Sequence, residues 1–210
     1  MFMMGFITPC WKNWANKCAL VFALCWAGLT LPALAQSSSV EFTQFKLEKT
    51  PDQLQLSSAV QFELAAPVEE ALLKGAPLFF VVEAELLRER WYWMDRKVAH
   101  PSRHMRLSFQ PLTRRWRLAL SQGPFSASTQ NALTQNFETL PDALAAVRRL
   151  SGWPLVELSE LDPSAKYRLE LRFYLDLTQL PRPLQIGALG QSDWNLSATL
   201  TYRFTPEGLK

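Results

Sequence analysis

The sequence has very little histidine, cysteine and glycine. Only 2 histidines, 3 cysteines and 8 glycines occur among its 210 residues. The glycines are scattered, so the chain has no glycine-rich phosphate loop, and the common motifs of serine hydrolases and zinc proteases are missing too. These absences argue against the best-marked enzyme classes, and we predict neither a metal site nor a cofactor.

The cysteines all lie before residue 26, in a segment typical of a secretory signal peptide. Lys12 and Lys17 precede the uncharged run "CALVFALCWAGLTLPALA", which ends in Ala33, Leu34 and Ala35. A positive start, an apolar middle and a small-x-small end predict cleavage after Ala35. Residues 1–35 are therefore expected to be a signal peptide, and the mature protein is expected in the periplasm without disulfides. The alternative is an uncleaved leader, which would be the protein's one link to a membrane.

The charge balance indicates little about partners. The chain carries 22 basic and 19 acidic residues, and Lys12 and Lys17 of the leader account for two of the basic ones. The remainder is nearly neutral, so no general electrostatic attraction to nucleic acid is expected.

Several segments alternate apolar and polar residues with the period of a half-buried β-strand. "LQLSSAVQFEL" from Leu54, "YRLELRFYLDL" from Tyr167 and "WNLSATLTYRF" from Trp194 show this most clearly, and "VEFTQFKLE" is a weaker first strand. "PLFFVVEAELL" starts as a continuous apolar run, which is typical of a central strand buried on both faces. "HMRLSF" and "TRRWRLAL" are expected to pair as a hairpin with a turn near Pro111.

Two short helices are predicted between these strands. "PVEEALLKG" places Pro67 at the start and Gly75 just past the end of the first helix. "TLPDALAAVRRLSG" places Thr139 and Asp142 as a capping pair, and we expect this second helix to end at Gly152. By contrast, the Pro-Arg-Pro sequence around Arg182 predicts a stiff, extended loop.

One-sided strands that follow each other along the chain are typical of antiparallel sheets packed face to face. We therefore predict a mainly β protein with a single antiparallel β-sandwich-like or open-barrel domain, of seven to nine strands and two short helices. This domain is expected to span residues 36–204, followed by a flexible C-terminal tail over residues 205–210.

The stretch "ERWYWMDRK" combines three aromatic rings with charges of both signs. If the preceding strand continues through it, Trp91 and Trp93 share a buried, structural face and Tyr92 points to solvent. Tyr92, Arg90 and Arg96 are then candidate binding residues.

Arg182 on the proline loop is the fourth candidate binding residue. More broadly, the arginines between residues 88 and 117, among them Arg103, alternate with tryptophans and can form a groove for an anionic ligand. The alternative is that these arginines occupy the outward face of strands whose tryptophans face inward.

Asp95 and His100 allow two interpretations. An Asp-His pair can orient a general base for hydrolysis. The simpler interpretation is that Asp95 is structural and forms an ion pair with Arg88, Arg90 or Arg96. No serine or threonine is marked as a nucleophile, which favours the structural interpretation.

The sequence resembles a bacterial family known as domain of unknown function 4390. The segments that carry the resemblance are "ERWYWMDRKV", "RLSFQPLTRRWRL", "LPDALAAV", "YRLELRFYLDLTQLPRPLQIGAL" and "DWNLSA". They occur between about residues 40 and 204. The resemblance implies an exported domain, found in many proteobacteria and associated with envelope sensing, and it supplies no catalytic residues.

The leading functional hypothesis is a non-enzymatic periplasmic module that binds an envelope protein or an anionic ligand. One alternative is a small envelope hydrolase or lyase that uses Asp95 and His100. Another is a carrier of a lipid or other amphiphile within a β-cavity. An exposed aromatic patch favours the module, an Asp95–His100 contact beside a pocket favours the enzyme, and a roomy cavity favours the carrier.

Overall fold

The computed structural model describes residues 40–92, 94–125, 132–188 and 190–209. The predicted signal peptide lies outside these described residues. Within them, the chain forms ten strands and three helices. The strands are β1 (Glu41–Lys49), β2 (Gln53–Gln61), β3 (Leu78–Arg88), β4 (Arg96–Ala99), β5 (Ser102–Gln110), β6 (Arg115–Ser121), β7 (Leu133–Phe137), β8 (Arg149–Glu157), β9 (Tyr167–Leu175) and β10 (Ser197–Phe204). The helices are α1 (Ala66–Leu73), α2 (Leu140–Arg148) and α3 (Arg182–Ala188).

The strands form two antiparallel sheets of unequal width. The smaller sheet has the order β1-β2-β8, and the larger has the order β10-β9-β3-β5-β6-β7, with β4 also paired to β3. Apolar side chains of both sheets share one core, for example Leu56 of β2 with Phe80 of β3 and Phe173 of β9. The described residues contain no closed barrel, so of the two predicted architectures the structure confirms the β-sandwich-like one.

The hydrophobic pattern of each strand matches its place in the sheet. Strand β3 lies between β9 and β5, and its first five residues, from Leu78 to Val82, are all buried, as the continuous apolar run predicts. Strand β9 alternates strictly, with Tyr167, Leu169, Leu171, Phe173 and Leu175 buried. Burying one face of each strand is what drives the sheets together.

Strands β4 and β5 follow one another along the same side of β3. Leu86 pairs with Ala99 of β4, whereas Glu83 pairs with Ser102 of β5. Pro101 sits at the break between them, where its carbonyl accepts a hydrogen bond from the backbone N–H of Ala84 at 3.0 Å. Proline has no N–H to donate to a ladder, so an interruption is where a sheet accommodates it.

The predicted hairpin of β5 and β6 is confirmed. Gln110 pairs with Arg115, and four residues from Pro111 to Arg114 make the turn. Arg114 adopts a left-handed backbone conformation with φ of 51°. Counted by alternation, Arg114 would share the apolar side of β6 with Trp116, but it belongs to the turn, because β6 begins at Arg115.

Helix α2 begins as predicted but ends earlier. The Thr139 hydroxyl accepts a hydrogen bond from the Asp142 N–H at 3.3 Å and donates one to the Asp142 carboxylate at 2.6 Å. The expected end at Gly152 is wrong, because the helix stops at Arg148 and residues 149–157 form strand β8. Pairing with β2 satisfies the backbone of these residues and outweighs their helical periodicity.

Two other regions differ from the predictions. The stretch around Arg182 was expected to be extended, but helix α3 starts there, with Pro183 within its first turn. Proline is tolerated at this place because the first N–H groups of a helix have no partner inside it.

After β10, Pro206–Gly208 form a 3-10 turn in which Pro206 is buried, and Leu209 packs against the core. Pro206 and Leu209 are thus packed in a segment where the sequence predicts a flexible tail, while Glu207 and Gly208 are exposed.

Candidate interaction site

The loop between β3 and β4, described at residues 89–92, 94 and 95, exposes three large side chains and is called the aromatic loop below. Trp91 is 93% exposed, Tyr92 70% and Met94 81%. The two rings contact each other edge to face, with centroids 5.0 Å apart. Exposed apolar side chains grouped in this way are unusual on a monomeric surface and mark interaction sites.

The base of the aromatic loop is tied to the larger sheet. The Glu89 N–H donates to the Lys166 carbonyl at 2.9 Å, and the Glu89 carboxylate pairs with Arg203 at 2.7 Å. On the other side, Asp95 accepts a hydrogen bond from the Arg90 N–H at 3.3 Å. The tip is therefore presented on a fixed base.

The prediction that Trp91 is buried at the edge of the core is wrong. The prediction rests on the alternation of side chains between two faces, which holds only while the strand continues. Strand β3 ends at Arg88, opposite Tyr167, the first residue of β9. Beyond this point the alternation of faces no longer applies. Trp93, the other tryptophan predicted to be structural, lies outside the described residues.

Three of the four candidate binding residues lie at or beside the aromatic loop. Arg90, Tyr92 and Arg96 are all exposed. In the part of the chain that the structure describes, neither the Arg90 nor the Arg96 guanidinium has an ion-pair partner. These two positive charges therefore border the aromatic tip without being neutralised.

Arg182, the fourth candidate, lies at the other end of the larger sheet. Strands β3 and β9 pair from Arg88 with Tyr167 to Phe80 with Leu175, and Arg182 follows β9. Eight strand residues separate these ends by about 26 Å, at about 3.3 Å per residue. The structure does not bring Arg182 into one surface with Arg90, Tyr92 and Arg96.

Asp95 forms an ion pair, but not with the predicted arginines. Its carboxylate lies 2.7 Å from Arg168 of β9, while Arg88 pairs with Asp162, also at 2.7 Å. The partner was missed because it is 73 residues away in the chain. The arrangement joins the aromatic loop to β9.

We expect Asp95→Asn to lower the free energy of unfolding by about 1 to 3 kcal/mol, because Arg168 loses one of its two carboxylate partners and keeps only Glu170. His100→Gln should change it by less than about 0.5 kcal/mol, since His100 is exposed. Urea denaturation of the two variants measures the difference. Equal stabilities would show that the Asp95–Arg168 ion pair contributes nothing to the fold.

The catalytic alternative, Asp95 with His100, is not supported by this geometry. The two residues lie at opposite ends of β4, and the Asp95 carboxylate is occupied by Arg168 and the Arg90 N–H. His100 instead borders a shallow depression that Glu83, Glu85, Glu170 and Arg172 also line.

A second polar cluster lies on the face of the larger sheet that points away from the core. The Tyr174 hydroxyl donates to Glu83 at 2.9 Å, and burial, together with this carboxylate, raises the pKa of Tyr174 to about 12. Burial lowers the pKa of neighbouring His104, although Glu83 and Asp176 oppose that shift. The Tyr174–Glu83 hydrogen bond links β9 to β3, whereas the buried Nδ1 of His104 has no hydrogen-bond partner among the residues that the structure describes.

A cavity lies where the two sheets separate. It is an open cleft of about 790 Å³ between β6, β7 and β8, and Arg103 and Trp153 line it. In the sequence, Arg103 is only one of several arginines that occur near tryptophans. No short sequence pattern indicates the cleft, because residues that are far apart in the chain form it.

The described ranges contain neither a metal-binding cluster nor a membrane-spanning helix. Residues 40–92, 94–125, 132–188 and 190–209 hold no group of three or more metal-ligating side chains. In the same part of the chain, no helix has the length and apolar character needed to cross a membrane.

The chain is a two-sheet antiparallel β-sandwich domain with an exposed aromatic loop. The model of one protein family, the domain of unknown function DUF4390, matches residues 37–205, and the chain belongs to this family. The resemblance seen in the sequence is thereby confirmed. No curated protein and no solved structure gives a significant match.

Proposed function

We propose that this protein is an exported, non-enzymatic interaction domain of the bacterial envelope, and that its aromatic loop binds a partner protein. The observation that carries the proposal is the exposure of Trp91, Tyr92 and Met94 on one loop whose base is fixed. Export is inferred from the signal-peptide pattern that ends at Ala35.

The composition of the loop suits a protein contact. Tryptophan, tyrosine and arginine are the residues most enriched at binding hot spots, and an aromatic side chain buries about 150 to 250 Å² in a contact. Here Trp91 and Tyr92 stand between Arg90 and Arg96. Methionine adds an adaptable apolar side chain at Met94, which fits surfaces that are not perfectly complementary.

The fixed base lowers the entropic cost of binding. Loops that are ordered only in a complex lose affinity because their conformational freedom is lost on association. Asp95 and Glu89 hold the two ends of the aromatic loop through Arg168 and Arg203. The rings also contact each other before any partner arrives, so part of their freedom is already lost.

Charges of both signs around the loop favour a protein over a lipid surface. Glu89, Asp95 and Glu160 lie near the exposed arginines, and Glu160 lines the same depression as Arg88 and Arg96. An anionic bilayer attracts a uniformly basic patch and gains nothing from interspersed carboxylates. A partner protein can match such a pattern, with acidic groups opposite Arg90 and Arg96.

Site-specific photocrosslinking in the cell envelope tests the proposal. We expect a photoreactive amino acid in place of Tyr92 to give a defined protein adduct, which excess unlabelled wild-type domain suppresses. The matched control is the same probe in place of Leu112, which is 101% exposed on the β5–β6 turn.

Three results are informative in this experiment. A competed protein adduct from position 92 that is absent from position 112 supports the proposal. Adducts with phospholipid alone would show a membrane contact and overturn it. Equal labelling from both positions would overturn it as well, because the loop would then be no more interactive than an ordinary exposed turn.

A further inference from the structure

The cleft between the sheets arises from their unequal width. Three strands cannot cover seven, so helix α2 packs against part of β6 and β7, and the cleft opens between these two strands, α2 and β8. Leu118 is buried there, whereas Leu133 on the edge strand β7 is 65% exposed. The cleft measures about 790 Å³, within the range of about 300 to 1,000 Å³ of small-molecule sites.

Arg103 is the unusual residue of this cleft. It shares the core-facing side of β5 with Met105 and Leu107, and its guanidinium carbon lies 5.4 Å from the centroid of the Trp153 ring. Burial lowers the pKa of Arg103. Among the residues that the structure describes, none forms an ion pair with Arg103.

A half-buried guanidinium without a counter-charge is costly to the fold. Arginines inside proteins are normally paired, and the planar guanidinium is well suited to bind carboxylate or phosphate in a forked geometry. The contact with Trp153 orients the guanidinium but does not neutralise it. An anionic ligand would supply the missing charge.

The remaining lining of the cleft is apolar or neutral, apart from a second arginine. The wall includes Leu118, Leu120, Leu133 and Ala146, and Arg149 also borders the opening. Among the residues that the structure describes, no aspartate or glutamate lines the cleft. The lining therefore complements a negative group joined to an apolar chain.

We propose that this cleft binds a single-chain anionic amphiphile, with its acidic head group on Arg103 and its acyl chain along Leu118, Leu120 and Leu133. Arg149 lies where it can attract the same head group. This site is separate from the aromatic loop, and it gives the domain a small-molecule ligand in addition to a protein partner.

Displacement of a fluorescent fatty acid from the purified domain tests this site. We expect dodecanoate and lysophosphatidate to compete with the probe at micromolar concentration, and the neutral dodecanol to be at least tenfold weaker. The relative affinities of dodecanoate and lysophosphatidate show whether the site prefers a carboxylate or a phosphate head group. Trp91→Ala should leave binding unchanged, which separates this result from the test of the aromatic loop.

Arg103→Gln should weaken binding of the anionic probe at least tenfold without lowering the melting temperature, because it removes an unpaired charge. Arg103→Lys should bind with intermediate affinity, since it keeps the charge but not the fork. Arg106→Gln is the matched control, because Arg106 lies on the same strand but stacks 5.0 Å over Phe125, outside the cleft. It should bind like the wild type.

Leu133→Asp provides a second test that does not depend on Arg103. This side chain is exposed, so the substitution should preserve the fold while placing a carboxylate on the apolar wall. We expect the affinity for the anionic probe to fall at least tenfold. The proposal is overturned if the wild type binds no probe, if dodecanol competes as well as dodecanoate, or if Arg103→Gln and Arg106→Gln weaken binding equally.

Discussion

Replacing Phe173 by alanine is expected to lower the free energy of unfolding by about 3 to 5 kcal/mol, the usual range for removing a buried phenylalanine ring. Phe173 is fully buried at 0% exposure, and its ring lies 5.2 Å from that of Phe62 and 6.0 Å from that of Phe80. These three rings join the central strands β9 and β3 to the chain just after β2, so they hold the two sheets together.

The expected loss is large because the surroundings cannot collapse into the cavity. Phe173 pairs with Val82 of β3 on one side and Ala198 of β10 on the other, so its backbone is fixed by two ladders. Single domains are stable by only about 5 to 15 kcal/mol, so the variant should unfold at a much lower urea concentration. Leu112→Ala, the exposed control, should not. A loss below about 1.5 kcal/mol would show that the core repacks around the gap.

The strands of the core were predictable because their signal is local. In β2, β9 and the start of β3, side-chain alternation or a continuous apolar run shows directly which faces are buried. The capping pair of Thr139 and Asp142 is likewise contained in four residues. Each of these features depends on neighbours that the sequence itself places side by side.

Strand β8 was missed because its local signal is misleading. Leu150 continues the apolar stripe of helix α2, but in the structure it pairs with Ser58 of β2. Pro154 also argues against a strand, and it is tolerated because β8 lies at the edge of the smaller sheet. Both residues pair with strand β2, which lies more than ninety residues earlier in the chain.

The candidate sites were only partly predictable for the same reason. Arg90, Tyr92 and Arg96 are exposed beside one loop, as the sequence suggested, but Trp91 is not part of the core. The partners that fix the loop, Arg168 and Arg203, come from β9 and β10. Neither they nor the cleft around Arg103 can be recognised without knowing which strands are neighbours.

Trp91→Ala is expected to weaken partner binding at least about thirtyfold, because hot-spot truncations cost about 2 kcal/mol or more and about 1.4 kcal/mol corresponds to a tenfold change. The same variant should retain its stability to within about 0.5 kcal/mol, since an indole that is 93% exposed contributes almost nothing to the core. The alternation in the sequence alone predicts a buried Trp91 and therefore a destabilised variant. The stability measurement thus decides between a buried and an exposed Trp91.

The binding effect can be measured before the partner is purified. Unlabelled variant is added as a competitor to the photocrosslinking reaction from position 92, and the concentration that halves the adduct is compared with that of the wild type. Leu112→Ala removes an equally exposed side chain from a different loop and should compete normally. If Trp91→Ala competes as well as the wild type, the indole is not a contact residue. If the free energy of unfolding of Trp91→Ala is instead lower by about 3 kcal/mol, Trp91 is packed in solution, and the alternation of buried and exposed side chains continues beyond Arg88.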